Sequence, residues 1–175
     1  MASGTGQSAS RDRFPVSVLM ARHVVSRGVW SIPQWRALAV LPGEEFAEDP
    51  AGNAGAPVRV QNAGGEEQYL WRGFTLRLYR DGAESYWYNL VGRQPSLFVL
   101  CRAGEEGELA PFLVTANYDE AGAYLEADDE MFSVPLPPEV HVALEQFVME
   151  HYVPREPEKR KRKNWVQDDE RKAER

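Results

Sequence analysis

Between Phe14 and Val134 the chain is broken every few residues by turn-forming pairs, and the runs between them are too short for helices packed in a bundle. Val16, Val18 and Met20 alternate with Ser17 and Leu19, which is a strand with one buried face and which extends over Phe14–Val25. Phe74, Leu76 and Leu78 alternate with Thr75, Arg77 and Tyr79. Asp81-Gly82 follows as a hairpin cue, and Ser85–Val91 reads as the returning strand, with Tyr86, Tyr88 and Leu90 on one face. Further strands are expected at Ala37–Leu41, Val58–Gln61, Glu67–Trp71, Phe112–Thr115 and Met131–Val134. Pro95–Arg102 is apolar throughout and suits a central strand covered on both faces. Ser31 ahead of Pro33 predicts a single helical turn before Ala37.

Two helices are expected after the strands. Asn117 with Glu120 three residues on forms a capping-box signature, and Ala121, Tyr124 and Leu125 supply the apolar stripe. In Glu139–Tyr152, Val140, Leu144, Phe147, Val148 and His151 fall on one helical face. The fold class expected is therefore α+β: one domain over residues 14–154, with an antiparallel sheet of about six to seven strands and two helices packed on it. Whether such a sheet curves strongly or closes like a barrel is left open by the pattern. Residues 1–13 read as a disordered leader and 155–175 as a charged, flexible tail.

Charge is segregated along the chain. Residues 1–154 hold eleven Arg, no Lys and 21 Asp or Glu, a formal −10; residues 155–175 hold nine Lys or Arg and six Asp or Glu, a formal +3. The basic run Lys159-Arg160-Lys161-Arg162-Lys163, followed by the isolated Trp165, suits an arm that docks on an anionic surface. Nucleic acid fits the acidic body poorly, because phosphate contacts dominate that affinity. No apolar segment approaches the ~20 residues a membrane-spanning helix requires, and no secretory leader is visible, so a cytoplasmic protein is expected.

Catalytic patterns are sparse. Cys101 is the one cysteine and lies in an apolar run, where a buried hydrophobe is the simplest reading. Glu44-Glu45, Glu105-Glu106 and Asp128-Asp129-Glu130 sit in turn contexts and read as solvated charge. His141 and Glu145 are one helical turn apart, with no third ligand at telling spacing. No glycine loop for phosphates is present, so neither cofactor, metal nor catalytic residues are assigned. The aromatic residues from Tyr69 to Phe98 are dense, and an outward Trp87 or Trp71 near Arg77 and Arg80 suits partner or ring contact. The residues singled out for binding are Arg80, Trp87, Lys159–Lys163 and Trp165.

Several stretches together carry a family resemblance. They are Phe14–Val18, Trp30–Gly43 ending in Ala39-Val40-Leu41-Pro42-Gly43, Arg80 through Tyr88-Asn89-Leu90, and Pro95–Val99. Tyr118-Asp119-Glu120-Ala121, Val134–Pro137, His151-Tyr152-Val153-Pro154 and Lys159–Lys163 complete the series. In order and spacing the chain resembles a bacterial family of unknown function whose genes commonly lie beside those of molybdenum-dependent formate dehydrogenase. One departure is Asp81-Gly82-Ala83, where a second acidic residue is expected before Glu84. The resemblance brings no catalytic residues. It implies a non-catalytic accessory role in assembly, maturation or regulation, with a dehydrogenase subunit or another maturation protein as partner. The alternative is a binding module for the molybdopterin-guanine dinucleotide cofactor or its precursor, with Trp71 or Trp87 stacking on a ring.

Overall fold

Strand β1 (Arg13–Arg27) organises the architecture by pairing on both sides. The computed structural model describes residues 12–43, 56–60, 66–104, 107–125 and 129–154. Along β1, Phe14, Val16, Val18 and Met20 all turn into the core, as period-2 alternation requires. Antiparallel β2 (Trp30–Pro42) lies on one side of it, and β4 (Glu67–Arg77) on the other, with short β3 (Val58–Val60) beyond β4. The second sheet has the order β6-β5-β7, with β5 (Ser96–Ala103) between β6 (Leu109–Thr115) and β7 (Glu130–Pro135). β7 lies beside β2 and β6 beside β4, and among the described residues no ladder joins the two sheets. The result is an α+β fold of two antiparallel sheets, seven strands in all among the described residues, and not a closed barrel.

The continuous apolar run of β5 has a direct cause. Leu97, Val99 and Cys101 face the main core, while Phe98 and Leu100 face a second cluster beneath α2 (Tyr118–Leu125), formed with Ala121, Phe112, Leu113 and Met131. Asn117 caps α2 as expected: its Oδ1 accepts the N–H groups of Asp119 (3.0 Å) and Glu120 (3.2 Å). The Glu120 carboxylate does not close the box on Asn117 directly. It accepts the Thr115 hydroxyl at 2.6 Å, and that hydroxyl accepts the Asn117 N–H at 3.0 Å. Helix α3 (Pro138–His151) begins with Pro at its first position and buries Val140, Leu144, Phe147 and Val148.

Three expectations are corrected. Residues 85–91 are not a strand: a 3-10 turn (Arg80–Gly82) leads into helix α1 (Ala83–Val91), giving three α-helices among the described residues instead of two. Ala83, Tyr86, Trp87 and Leu90 fall at i, i+3, i+4 and i+7, and this face turns inward, whereas Tyr88, expected beside Tyr86, points to solvent. The helical turn expected near Ser31 is also absent. β2 runs straight through Pro33, because β2 is an edge strand and the missing N–H can face outward. Finally, Asp129 is not solvated charge. It is buried, and both its oxygens accept hydrogen bonds from Arg102, from Nε and Nη2, each at 2.9 Å. Of the expected leader 1–13, residues 1–11 lie outside the described residues, while Arg13 already belongs to β1; the tail 155–175, the pairs Glu44-Glu45 and Glu105-Glu106, and Asp128 also lie outside them.

Candidate interaction face

Helix α1 is held against the rest of the molecule by two polar devices. Asn89 donates from Nδ2 to the carbonyls of Ser96 and Ala116, both at 2.8 Å, and accepts the Ser96 N–H at 3.0 Å. One amide thereby ties α1 to the start of β5 and the end of β6. At the other end the Tyr86 hydroxyl accepts the Tyr79 N–H at 3.1 Å, and its ring meets Phe147 of α3 edge-on with centroids 6.0 Å apart. Burial pushes the Tyr86 phenol above its ordinary range.

With α1 fixed in this way, Arg80 and Trp87 lie on the side where α3 ends. Trp87 is half-buried and stacks on Tyr152 (centroids 5.3 Å, interplanar angle 24°), while Tyr88 meets it edge-on at 5.0 Å. Arg80, Asp81, Ala83 and Glu84 face His151, Tyr152, Val153 and Pro154 across a shallow cavity of about 460 Å³. His151 packs edge-on against Phe147 at 4.5 Å and lies 3.8 Å from the Glu150 carboxylate. Pro154 is the last described residue; Lys159–Lys163 and Trp165 follow it in the sequence and lie outside the described region. The structure therefore brings Arg80 and Trp87, which are near neighbours along the chain, against the distant segment His151–Pro154. Tyr152, the stacking partner of Trp87, was not singled out for binding by sequence, although it sits in a stretch that carries the family resemblance.

The other aromatic candidates go elsewhere. Trp71 is half-buried in a separate cleft of about 350 Å³ with Arg22, Trp35, Pro57, Tyr69, Gly107 and Glu108. Within it Trp35 and Tyr69 pack 5.6 Å apart, Arg22 lies over Trp35 at 5.9 Å, and Glu67 accepts from both Arg22 and the Tyr69 hydroxyl. Arg77 lines the seam between β4 and β6, with Phe74, Thr115 and Glu120.

Groups with chemical potential are locked into structure. Cys101 is fully buried, and its thiol is pushed up to about 12, first by burial and then by the nearby Glu130. The hydrogen bond from Arg102 holds the Asp129 carboxyl below the usual carboxylate range, and Asp129 in turn raises the guanidinium, which lies 4.6 Å over Phe112. His141 and Glu145 pair at 3.3 Å, both partly exposed. Among the described residues no cluster of three or more His, Cys, Asp or Glu is placed to hold a metal ion, and no helix is long and apolar enough to cross a membrane.

The fold and this face define a two-sheet α+β domain whose assembled features are surface features: an aromatic stack, an arginine and the root of a charged extension. The model of a family of proteins of unknown function, DUF3305, matches residues 15–163, and the chain belongs to that family. No curated protein and no solved structure matches it.

Proposed function

We propose that this protein is a non-catalytic accessory factor of the cytoplasm that assists assembly, maturation or regulation of a molybdenum-dependent formate dehydrogenase through protein–protein contacts. The observation that carries the contact mechanism is the convergence of Arg80, the Trp87–Tyr152 stack and Val153-Pro154, after which the sequence continues to the basic run, on one face. Tryptophan and arginine are over-represented among residues that dominate interface energetics, and a basic arm adds electrostatic steering. The choice of enzyme rests on the gene company implied by the family resemblance. The test is a pull-down with the full chain from its native host grown with formate. Recovery of a dehydrogenase subunit or another maturation protein supports the reading, and recovery of neither overturns it. Truncation before Arg155 is expected to leave the melting temperature nearly unchanged and to weaken partner binding, with the larger loss at low salt, where charge is least screened.

A second reading has an observation of its own. The cleft formed by Trp35, Tyr69 and Trp71, with Arg22 at its wall, has the size and aromatic lining of a small-ligand site. This favours, as the alternative, binding of the molybdopterin-guanine dinucleotide cofactor or its precursor. Quenching of tryptophan fluorescence on titration with the cofactor, lost in Trp71→Phe, supports it; an unchanged spectrum removes it.

A further inference from the structure

The β1–β2 hairpin is longer than the sheet it belongs to. Pairing of β1 with β4 stops at Arg22↔Glu67, yet β1 and β2 continue through His23↔Gln34, Val24↔Pro33, Val25↔Ile32, Ser26↔Ser31 and Arg27↔Trp30. Five further pairs at about 3.4 Å each make a two-stranded ribbon some ~17 Å long. It turns at Gly28-Val29, with Gly28 at φ 61°, which suits a two-residue hairpin turn opening on glycine.

This free end exposes apolar side chains on both faces and at its tip. Val29 at the tip is 94% exposed and Trp30 72%; Val24 on one face is 55% exposed, and Ile32 on the opposite face 52%. Only His23 and Arg27 are ionisable between residues 23 and 34, in a body of formal charge −10. Arg27 is exposed and has no carboxylate partner among the described residues, unlike Arg22 and Arg36, which pair with Glu67 and Glu66. A two-stranded ribbon is marginal in water by itself, and one that displays a Trp, an Ile and two Val is a contact surface rather than a solubilising one.

We infer that residues 23–34 form a finger that enters an apolar cleft bearing a carboxylate on a second, different protein. The distribution of the side chains selects this occupant. Packing two copies ribbon to ribbon covers one face and leaves either Val24 or Ile32 in water. Four cavities among the described residues, of about 300–460 Å³, are each too small to receive a twelve-residue ribbon of another copy. Addition of a strand along the outer edge of β2 is interrupted at Pro33, which offers no N–H. Insertion alone covers both faces and the tip together, and a carboxylate in the cleft pairs Arg27. Because the hairpin is already formed, little ordering entropy is lost on entry.

The finger deepens the proposed accessory role and rests on it for the identity of the partner. The test places the photo-crosslinking residue p-benzoylphenylalanine at Val24, Val29 or Ile32 of the full chain in the native host, with Tyr88 on α1 as a comparison position. The expected result is an adduct with the same second protein from all three ribbon positions. Arg27→Glu should lower its yield at least about tenfold while Arg27→Lys retains most of it and the melting temperature stays unchanged. Adducts from one face only, copy-to-copy adducts, lipid adducts, no ribbon adduct, or indifference to Arg27→Glu each overturn the finger. If Tyr88 alone captures a dehydrogenase subunit, the finger falls and the accessory role stands. If all three ribbon positions capture one protein unrelated to the dehydrogenase, with the Arg27 dependence intact, the finger stands and the accessory role falls.

Discussion

Asn89 offers the sharpest test of how the candidate face is held, because its two obvious replacements separate hydrogen bonding from size. Asn89→Ala removes three hydrogen bonds and leaves the Ser96 and Ala116 carbonyls and the Ser96 N–H without that partner. At a net ~0.5–1.5 kcal/mol each the loss is about 1.5–4.5 kcal/mol, reduced by roughly 0.5 kcal/mol because Ala is the better helix former. A net ~2.5 kcal/mol corresponds to a fall of about 5–10 °C in melting temperature for a chain of this size. Asn89→Asp keeps the shape and the bond from Ser96 N–H but turns an oxygen towards two carbonyl oxygens. Its destabilisation at pH 7 is expected to equal or exceed that of the Ala variant. The pH dependence then distinguishes them. The introduced carboxyl has a raised pKa in the folded state, so the folded variant takes up a proton that the unfolded chain does not. Its deficit therefore shrinks as pH falls from about 7 towards 4, whereas that of the Ala variant stays level. Urea denaturation of both variants across that range measures this. A tolerated Asn89→Asp, or parallel pH profiles, would refute the clamp.

Other expectations follow from the same geometry. A Cβ at position 82 would sit 2.8 Å from Cζ and Oη of the fully buried Tyr86, so Gly82→Ala should destabilise by about 1–3 kcal/mol in chemical denaturation; a neutral result means the ring can shift. The lowered Asp129 carboxyl contributes stability that is complete above the ordinary carboxylate pKa of about 3.9 and is lost as pH falls through its lower folded value. Asp129→Asn should therefore be less stable than the parent at pH 7, with the gap closing below about pH 4, as read by thermal melts. Cys101 should resist thiol reagents in the native protein at pH 8 and react fully once unfolded in guanidinium; fast native labelling would contradict its burial.

Much of this architecture is local in origin and readable along the chain. The alternation of Val16, Val18 and Met20, the Asn117 cap and the Val140–Val148 stripe each follow from the geometry of a single element. Segment 85–91 is different, because it satisfies two periods at once: Tyr86, Tyr88 and Leu90 alternate, and Ala83, Tyr86, Trp87 and Leu90 form a helical stripe. So short a segment cannot settle that contest. It is decided by the Tyr86 ring against Phe147 and by the Asn89 amide reaching Ser96 and Ala116, partners that appear only after folding. Pro33 misleads in the same way, since its tolerance depends on β2 being an outermost strand.

Arg80 and Trp87 stand out in the chain as candidate contact residues, and the charge contrast between body and tail is plain in composition alone. That Trp87 lies on Tyr152 at the tail's root, and that the first hairpin outruns its sheet, depends on how α1, α3 and β4 end relative to one another. Sequence determined what each segment prefers, because side-chain period and backbone propensity act over a few residues. Only the tertiary structure decided which segments meet and which are left uncovered, because burial is shared between elements distant along the chain.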